Sequence, residues 1–163
     1  MKKVLISGAN GQLGKCIQRQ AKDFAEFEFV FLTSQDWDIT DDKQTQKVFD
    51  EHQPDIFINA AAYTNVDGAE EEREKAFAIN ADALLNISYQ CNQHDTFLIH
   101  ISTDYVFDGK SSSAYKETDA CQPINTYGQS KRQGEQVIEQ SATHAAIVRT
   151  SWLYSSFGKN FMT

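Results

Sequence analysis

The sequence predicts an α/β fold, a doubly wound parallel sheet truncated after about its fifth strand. Three observations predict it. Short, nearly unbroken apolar runs recur along the chain, segments with helical periodicity separate them, and a glycine-rich turn joins the first run to the first helix. Near-continuous apolar strands are those of a sheet covered on both faces, and right-handed crossovers put helices on both. With 163 residues, 40% of them apolar and 23% charged, the chain is expected to form one domain, 1–163, of ordinary soluble composition.

The elements follow in order. Val4, Leu5 and Ile6 run into Ser7 and Gly8 as a buried first strand. Leu13, Ile17, Ala21 and Phe24 then recur at helical spacing. Residues 29–32 form a second apolar run, and the polar segment 41–51, with Val48 and Phe49 inside it, suits a surface helix. Pro54 precedes a third strand over 55–60. One long helix is expected from about 67 to 94, with Ala76, Ala83, Leu84, Ile87 and Cys91 as its apolar stripe. Glu70, Glu71, Glu72 and Glu74 fall in its first turns, favourable at the positive end of a helix dipole, and read as a solvated face. Residues 96–102 make a fourth strand, 105–122 a loop, 126–141 a helix and 145–149 a fifth strand. The expected strand order is 3-2-1-4-5, which places a ligand at the carboxyl ends of the strands between the first and the fourth.

Charge and composition exclude several classes. A net charge of −8 argues against a general grip on nucleic acid, which needs clustered Lys and Arg. No apolar stretch approaches the roughly 20 residues needed to cross a membrane. The N-terminal apolar run stops at Ser7, too early for a signal peptide, so a cytoplasmic protein is expected. Cys16, Cys91, Cys121, His52, His94, His100 and His144 lack metal-ligand spacing and read as structural or incidental, so no metal site is expected.

The turn after the first strand carries Gly8, Asn10, Gly11, Gln12, Leu13 and Gly14, with glycines spaced by three. Such a turn lets a pyrophosphate approach the main chain, puts helix N–H groups against it, and lets the helix pack closely on the sheet. Placed between a strand and a helix, it points to a Rossmann-like dinucleotide site. The end of the second strand reads Leu32, Thr33, Ser34, Gln35, without the acid that would favour a free ribose 2′-hydroxyl. Ser34 tolerates a 2′-phosphate, but no arginine is there to pair with it, so NADPH is mildly favoured and NADH stays open. Asp38 either accepts from an adenine amino group or serves as a turn or cap residue.

Tyr127 and Lys131 stand four apart, on one helical face. A phenol has a pKa near 10, and a nearby cation lowers it toward use as an acid. Thr103, at the end of the fourth strand, can hold a carbonyl or assist the phenol. Ala60, Ala61 and Ala62 end the third strand and leave room for a cofactor, with Tyr63 and Thr64 after them. Asn80, on the apolar stripe of the long helix, needs partners, through either a water or a strand.

Taken together, these segments resemble the dTDP-4-dehydrorhamnose reductase group of the extended short-chain dehydrogenase/reductase family. The matching stretches are 8–14, Asp38 to Thr40 (with Ile39), 59–67, Ser102 to Gly109, 127–131 and 149–154, covering essentially the whole chain. The resemblance implies a catalytic trio of Thr103, Tyr127 and Lys131. It implies cofactor contacts from the glycine turn, Ser34, Asp38, Ile39, the alanines, Tyr63, Asn80, Tyr127 and Lys131. Sugar-nucleotide contacts would come from Thr64, Val66, Asp104, Tyr105, Val106 and Trp152. The implied reaction is NADPH- or NADH-dependent reduction of the C4 carbonyl of dTDP-4-dehydro-L-rhamnose. Some members use Mg2+ at a dimer contact, but no residue here places such a site, and a homodimer is an open expectation. Two alternatives remain: a non-catalytic regulatory subunit similar to the methionine adenosyltransferase beta subunit, and another nucleotide-sugar reductase or epimerase. The family's chains are nearly twice as long, so the smaller substrate domain is expected to be mostly absent and an apolar sheet edge exposed.

Overall fold

A computed structural model describes residues 1–158 and Asn160; within the expected domain 1–163, residues 159 and 161–163 lie outside the described residues. Five parallel strands, β1 (Lys2–Ser7), β2 (Phe27–Phe31), β3 (Ile56–Asn59), β4 (Phe97–Thr103) and β5 (Ala145–Thr150), form one sheet. Helices α1 (Gln12–Ala21), α2 (Asp42–His52), α3 (Gly68–Glu71), α4 (Arg73–Phe77), α5 (Ala83–Gln93) and α6 (Thr126–Ser141) connect them.

The strand order is β2-β1-β3-β4-β5, not the expected 3-2-1-4-5. β3 pairs with β1, from Val4 against Ile56 to Ser7 against Asn59, rather than extending the sheet beyond β2. β1, buried from Val4 to Ser7, thus lies between β2 and β3, and α2 carries the chain back across it. The winding reverses between β1 and β3, and the crevice opens there. Periodicity names strands but says nothing of which non-adjacent runs pair.

Strand side chains alternate between faces. Leu5, Phe57 and Leu98 point to one face and pack with Val48 and Phe49 of α2, Leu84 and Ile87 of α5 and Ile138 of α6. Trp37 joins this core, its ring 5.4 Å from that of Phe57. The opposite face receives α1. There Val4, Ile56, Ile58 and Ile99, with Leu13 and Ile17 of α1 and Phe24 just after it, line an open apolar hollow of about 320 Å³. Both faces carry helices, as the near-continuous apolar strands suggested, and the α1 face is the more open of the two.

The long helix expected over 67–94 is broken. α3 and α4 meet at Glu72, whose ψ of 44° interrupts the helix, and a wide π-helical turn, Ala78–Asp82, precedes α5. The expected stripe splits accordingly. Ala76 packs with Tyr63 and Ala69 in a small cluster, whereas Ala83, Leu84, Ile87 and Cys91 belong to the main core.

α6 is anchored by a charge buried inside it. The fully buried Glu135 accepts from Arg149 through Nε (2.8 Å) and Nη2 (2.7 Å), from Arg132 (2.8 Å) and from Ser102 Oγ (2.6 Å), tying α6 to β4 and β5. Removing one partner of such a group leaves uncompensated charge. Glu135→Ala is expected to lower the unfolding free energy by about 3–5 kcal/mol, measured by urea denaturation.

Candidate active site

The carboxyl ends of the strands open into a crevice of about 750 Å³, continuous from the glycine turn to the start of α6. Its first wall is the turn after β1. Gly8 has φ +66°, and a Cβ there would stand 2.6 Å from the carbonyl oxygen of Ala60. A Cβ at Gly14 would stand 2.5 Å from the carbonyl oxygen of Gly8, so α1 packs directly on the turn. Gly11 is the α1 N-cap, contributes no capping side chain, and is followed by no acid in the first turn. The leading N–H groups of α1 are therefore left to a ligand, and a positive helix end without a competing carboxylate fits a phosphate group. Gln12 Nε2 donates to the carbonyl of Leu153 (2.6 Å), drawing the segment after β5 over the turn.

The second wall is built by α6 and the end of β4. Asn125 caps α6 by accepting from the Gly128 N–H (2.7 Å). Glu70 of α3 accepts from the N–H (2.8 Å) and hydroxyl (2.7 Å) of Thr126. Tyr127 is thereby fixed, its ring 5.6 Å from that of Tyr105 and nearly perpendicular to it. The Thr103 hydroxyl accepts from the Tyr105 N–H (3.2 Å) and donates to Asp104 (3.2 Å). Thr103 is thus both a turn cap and a crevice residue.

Of the residues expected at the site, Gly8, Asn10, Gly11, Gln12, Leu13, Gly14, Ser34, Asp38, Ile39 and Ala60 to Ala62 all line the crevice. So do Thr64, Val66, Thr103, Asp104, Tyr105, Tyr127, Lys131 and Trp152. Three do not. Tyr63 turns its hydroxyl away to Glu72 (2.6 Å). Asn80 spends its amide on the backbone of Tyr63, accepting at 2.9 Å and donating at 3.0 Å, and on Ser130 Oγ (3.0 Å). It thus ties the π-helical turn to the loop after β3. Val106 is fully buried and does not line the crevice. Asp38 accepts from the N–H and hydroxyl of Thr40, the turn role, while Asp41 caps α2. The acidic run is also more than a solvated face, since Glu70 and Glu72 each hold a hydroxyl.

Electrostatics depart from expectation at Tyr127. Burial pushes its phenol up, Asp104 and Tyr105 add to the rise, and the Thr103 hydroxyl opposes it. The expected downward pull of Lys131 is not realised in this structure. Lys131 Nζ instead donates to the carbonyl of Ile101 (2.8 Å) and lies 3.2 Å from His100 Nε2. Burial brings the Lys131 ammonium down to about 8, with Glu135 pulling the other way. Ser7, Trp37, Ile79, Ile101, Ser102, Thr150 and Leu153 also line the crevice and were not anticipated. Trp37 stands beside Asp38, Ser7 and Ser102 stand at strand ends beside named residues, and Thr150 and Leu153 fall in the stretch 149–154; Ile79 and Ile101 offered no signal.

Residues 1–163 match the RmlD substrate binding domain family. The chain belongs to that family. It is 38% identical over 162 residues to a dTDP-4-dehydrorhamnose reductase of Aggregatibacter actinomycetemcomitans, covering 99% of this chain and 55% of that protein. It is 41% identical over 162 residues to the spore coat polysaccharide biosynthesis protein SpsK of Bacillus subtilis, covering 99% and 57%. A crystal structure of dTDP-4-dehydrorhamnose reductase from Bacillus anthracis in complex with NADP superimposes with a TM-score of 0.95 at 44% identity, covering 99% of this chain and 58% of that one. This RmlD-family chain thus spans about half the length of the curated relatives it matches.

The Glu70 clamp has a defined pH response. The Thr126 hydroxyl and N–H hold the Glu70 carboxyl below its ordinary value. A depressed carboxylate contributes stability that is present above its unfolded value and lost as pH falls through the folded one. The protection factor of the Thr126 amide, its exchange rate set against the intrinsic rate at each pH, is therefore expected to be high at neutral pH and to fall on acidification below the ordinary carboxylate range. In Glu70→Gln that pH-dependent loss of protection is expected to be absent.

Proposed function

We propose that this chain is the dinucleotide-binding half of an NADPH-dependent reductase acting on the C4 carbonyl of dTDP-4-dehydro-L-rhamnose, yielding dTDP-L-rhamnose. One observation carries the reading: Thr103, Tyr127 and Lys131 line the same crevice as the uncapped, acid-free N-terminus of α1. Relatives named for this reductase and an NADP complex of one of them support it.

The turn from Gly8 to Gly14 and the leading N–H groups of α1 would hold the pyrophosphate, and Ser34, Asp38 and Ile39 the adenosine end. Ala60, Ala61 and Ala62 leave the depth for the nicotinamide ribose. The dinucleotide, when bound, supplies the hydride that C4 accepts. Tyr127 Oη delivers the proton that the C4 oxygen takes up, so the carbonyl becomes a hydroxyl. Thr103 orients that oxygen through its hydroxyl. Burial keeps the proton on the Tyr127 phenol until it is needed, and a charged Lys131 brought close to the phenol would oppose that push. Trp152, largely exposed at the crevice mouth, and Tyr105 would flank the sugar nucleotide.

Two measurements test this. NADPH is titrated against the chain by fluorescence, and its consumption is followed by absorbance with dTDP-4-dehydro-L-rhamnose, using the longest product of the coding sequence. Saturable binding and consumption are expected. Binding without consumption would favour a regulatory subunit. Tyr127→Phe is expected to reduce turnover roughly 10²–10⁴-fold while leaving NADPH affinity nearly unchanged. A Cβ at Gly11 would meet only the Gly8 carbonyl, at 3.1 Å. Gly11→Val is therefore expected to fold and to lose NADPH binding, whereas Gly14→Val is expected to fail in folding.

A further inference from the structure

His100 read as incidental in the sequence, yet it is buried on β4 directly behind Lys131. Each of its ring nitrogens has one polar neighbour: Asn59 Nδ2 lies 3.2 Å from Nδ1, and Lys131 Nζ lies 3.2 Å from Nε2. The proton positions follow from the far end of this row. The Ala61 backbone N–H, which can only donate, is shared between Ser7 Oγ (3.3 Å) and Asn59 Oδ1 (3.2 Å), Ser7 Oγ donates to that same oxygen at 2.8 Å, and a turned amide would set two donors against each other at 3.2 Å. Asn59 Oδ1 is thus the acceptor, so its Nδ2, a donor, faces the ring. Nδ1 of His100 must then be bare. A neutral imidazole carries one proton, which falls on Nε2 and points at Lys131.

An ammonium has no lone pair with which to accept it. An amine does, and retains N–H groups for the Ile101 carbonyl at 2.8 Å. In a buried row, two donors facing each other are costly, because no solvent relieves the mismatch.

We propose that His100 is a positioning residue for Lys131: its ring, locked by Asn59 as the Nε2–H tautomer, donates to the lysine nitrogen and favours the uncharged amine. The surroundings agree. Burial, the larger cause, holds His100 well below its ordinary pKa whatever the charge on Lys131, so the ring is neutral. Facing Lys131 from its own helix are Tyr127 and Glu135. The Glu135 charge is taken up by Arg149, Arg132 and Ser102. Asp104 shares the crevice, and the nearest side chains on β1 and β3, Ser7 and Asn59, are uncharged.

For catalysis the inference rests on the role given to Lys131 above. The cation that opposes burial at Tyr127 is then weakened for as long as Lys131 stays against the ring.

The test needs no turnover. In the chain labelled with ¹⁵N-histidine, the His100 ring nitrogens are assigned by long-range proton correlation between pH 6 and 9. A bare Nδ1 and a protonated Nε2 throughout are expected. A protonated Nδ1, with Nε2 bare or also protonated, overturns the proposal. In the chain labelled with ¹³C-lysine, the Lys131 signal is assigned by its loss in Lys131→Met and titrated. Asn59→Asp replaces the donor at Nδ1 with an acceptor. It should move the ring proton to Nδ1 and raise the Lys131 midpoint by about one pH unit or more. A moved ring proton with an unchanged midpoint overturns the proposal, and should the buried carboxylate prevent folding, the wild-type ring assignment decides alone. Loss of NADPH binding or turnover would sink the reductase reading without touching these signals.

Discussion

Ser7, Asn59 and His100 sit side by side on β1, β3 and β4, in register and on the face that α6 covers. Their hydrogen bonds run sideways across three strands and end at Lys131. A slip of one residue in any of these strands would turn its polar member toward α1 and leave the others unsatisfied in the interior. The row therefore does two jobs. It holds the three central strands at one level, and it brings α6 to the height at which Tyr127 meets the crevice. The close approach of Gly8 to Ala60, just beyond the same row, depends on that alignment too.

Much of the site was readable from local pattern. The glycine turn declares itself because its chemistry is contiguous: a strand end, a tight turn and a helix start lie within a few residues. Tyr127 and Lys131 share a helix face by arithmetic alone. All five strands were found close to their bounds for the same reason, each being a short apolar run between turn residues.

What escaped depends on pairing across distance. The place of β3 beside β1 is set by which edge α2 can reach after crossing the sheet, which no single run encodes. His100 looked incidental because its partners, Asn59 and Lys131, are far away in sequence. Glu70 looked like surface charge until α6 was known to start beside it. The position of Asn80 was correctly read as needing partners, yet the partners themselves, Tyr63 and Ser130, followed only from a helix that widens there.

That widened turn, Ala78–Asp82, works as a phase shifter. Each helical residue advances the face by about 100°, so accommodating a wider turn rotates everything after it relative to what came before. The segment ahead presents Ala76 to the tyrosine cluster, and the segment behind presents Leu84 and Ile87 to the sheet. Deleting a single residue there would restore a regular helix and aim one of the two segments at solvent. A length change of one residue in this short stretch is thus far less tolerable than several in the loop that precedes α6.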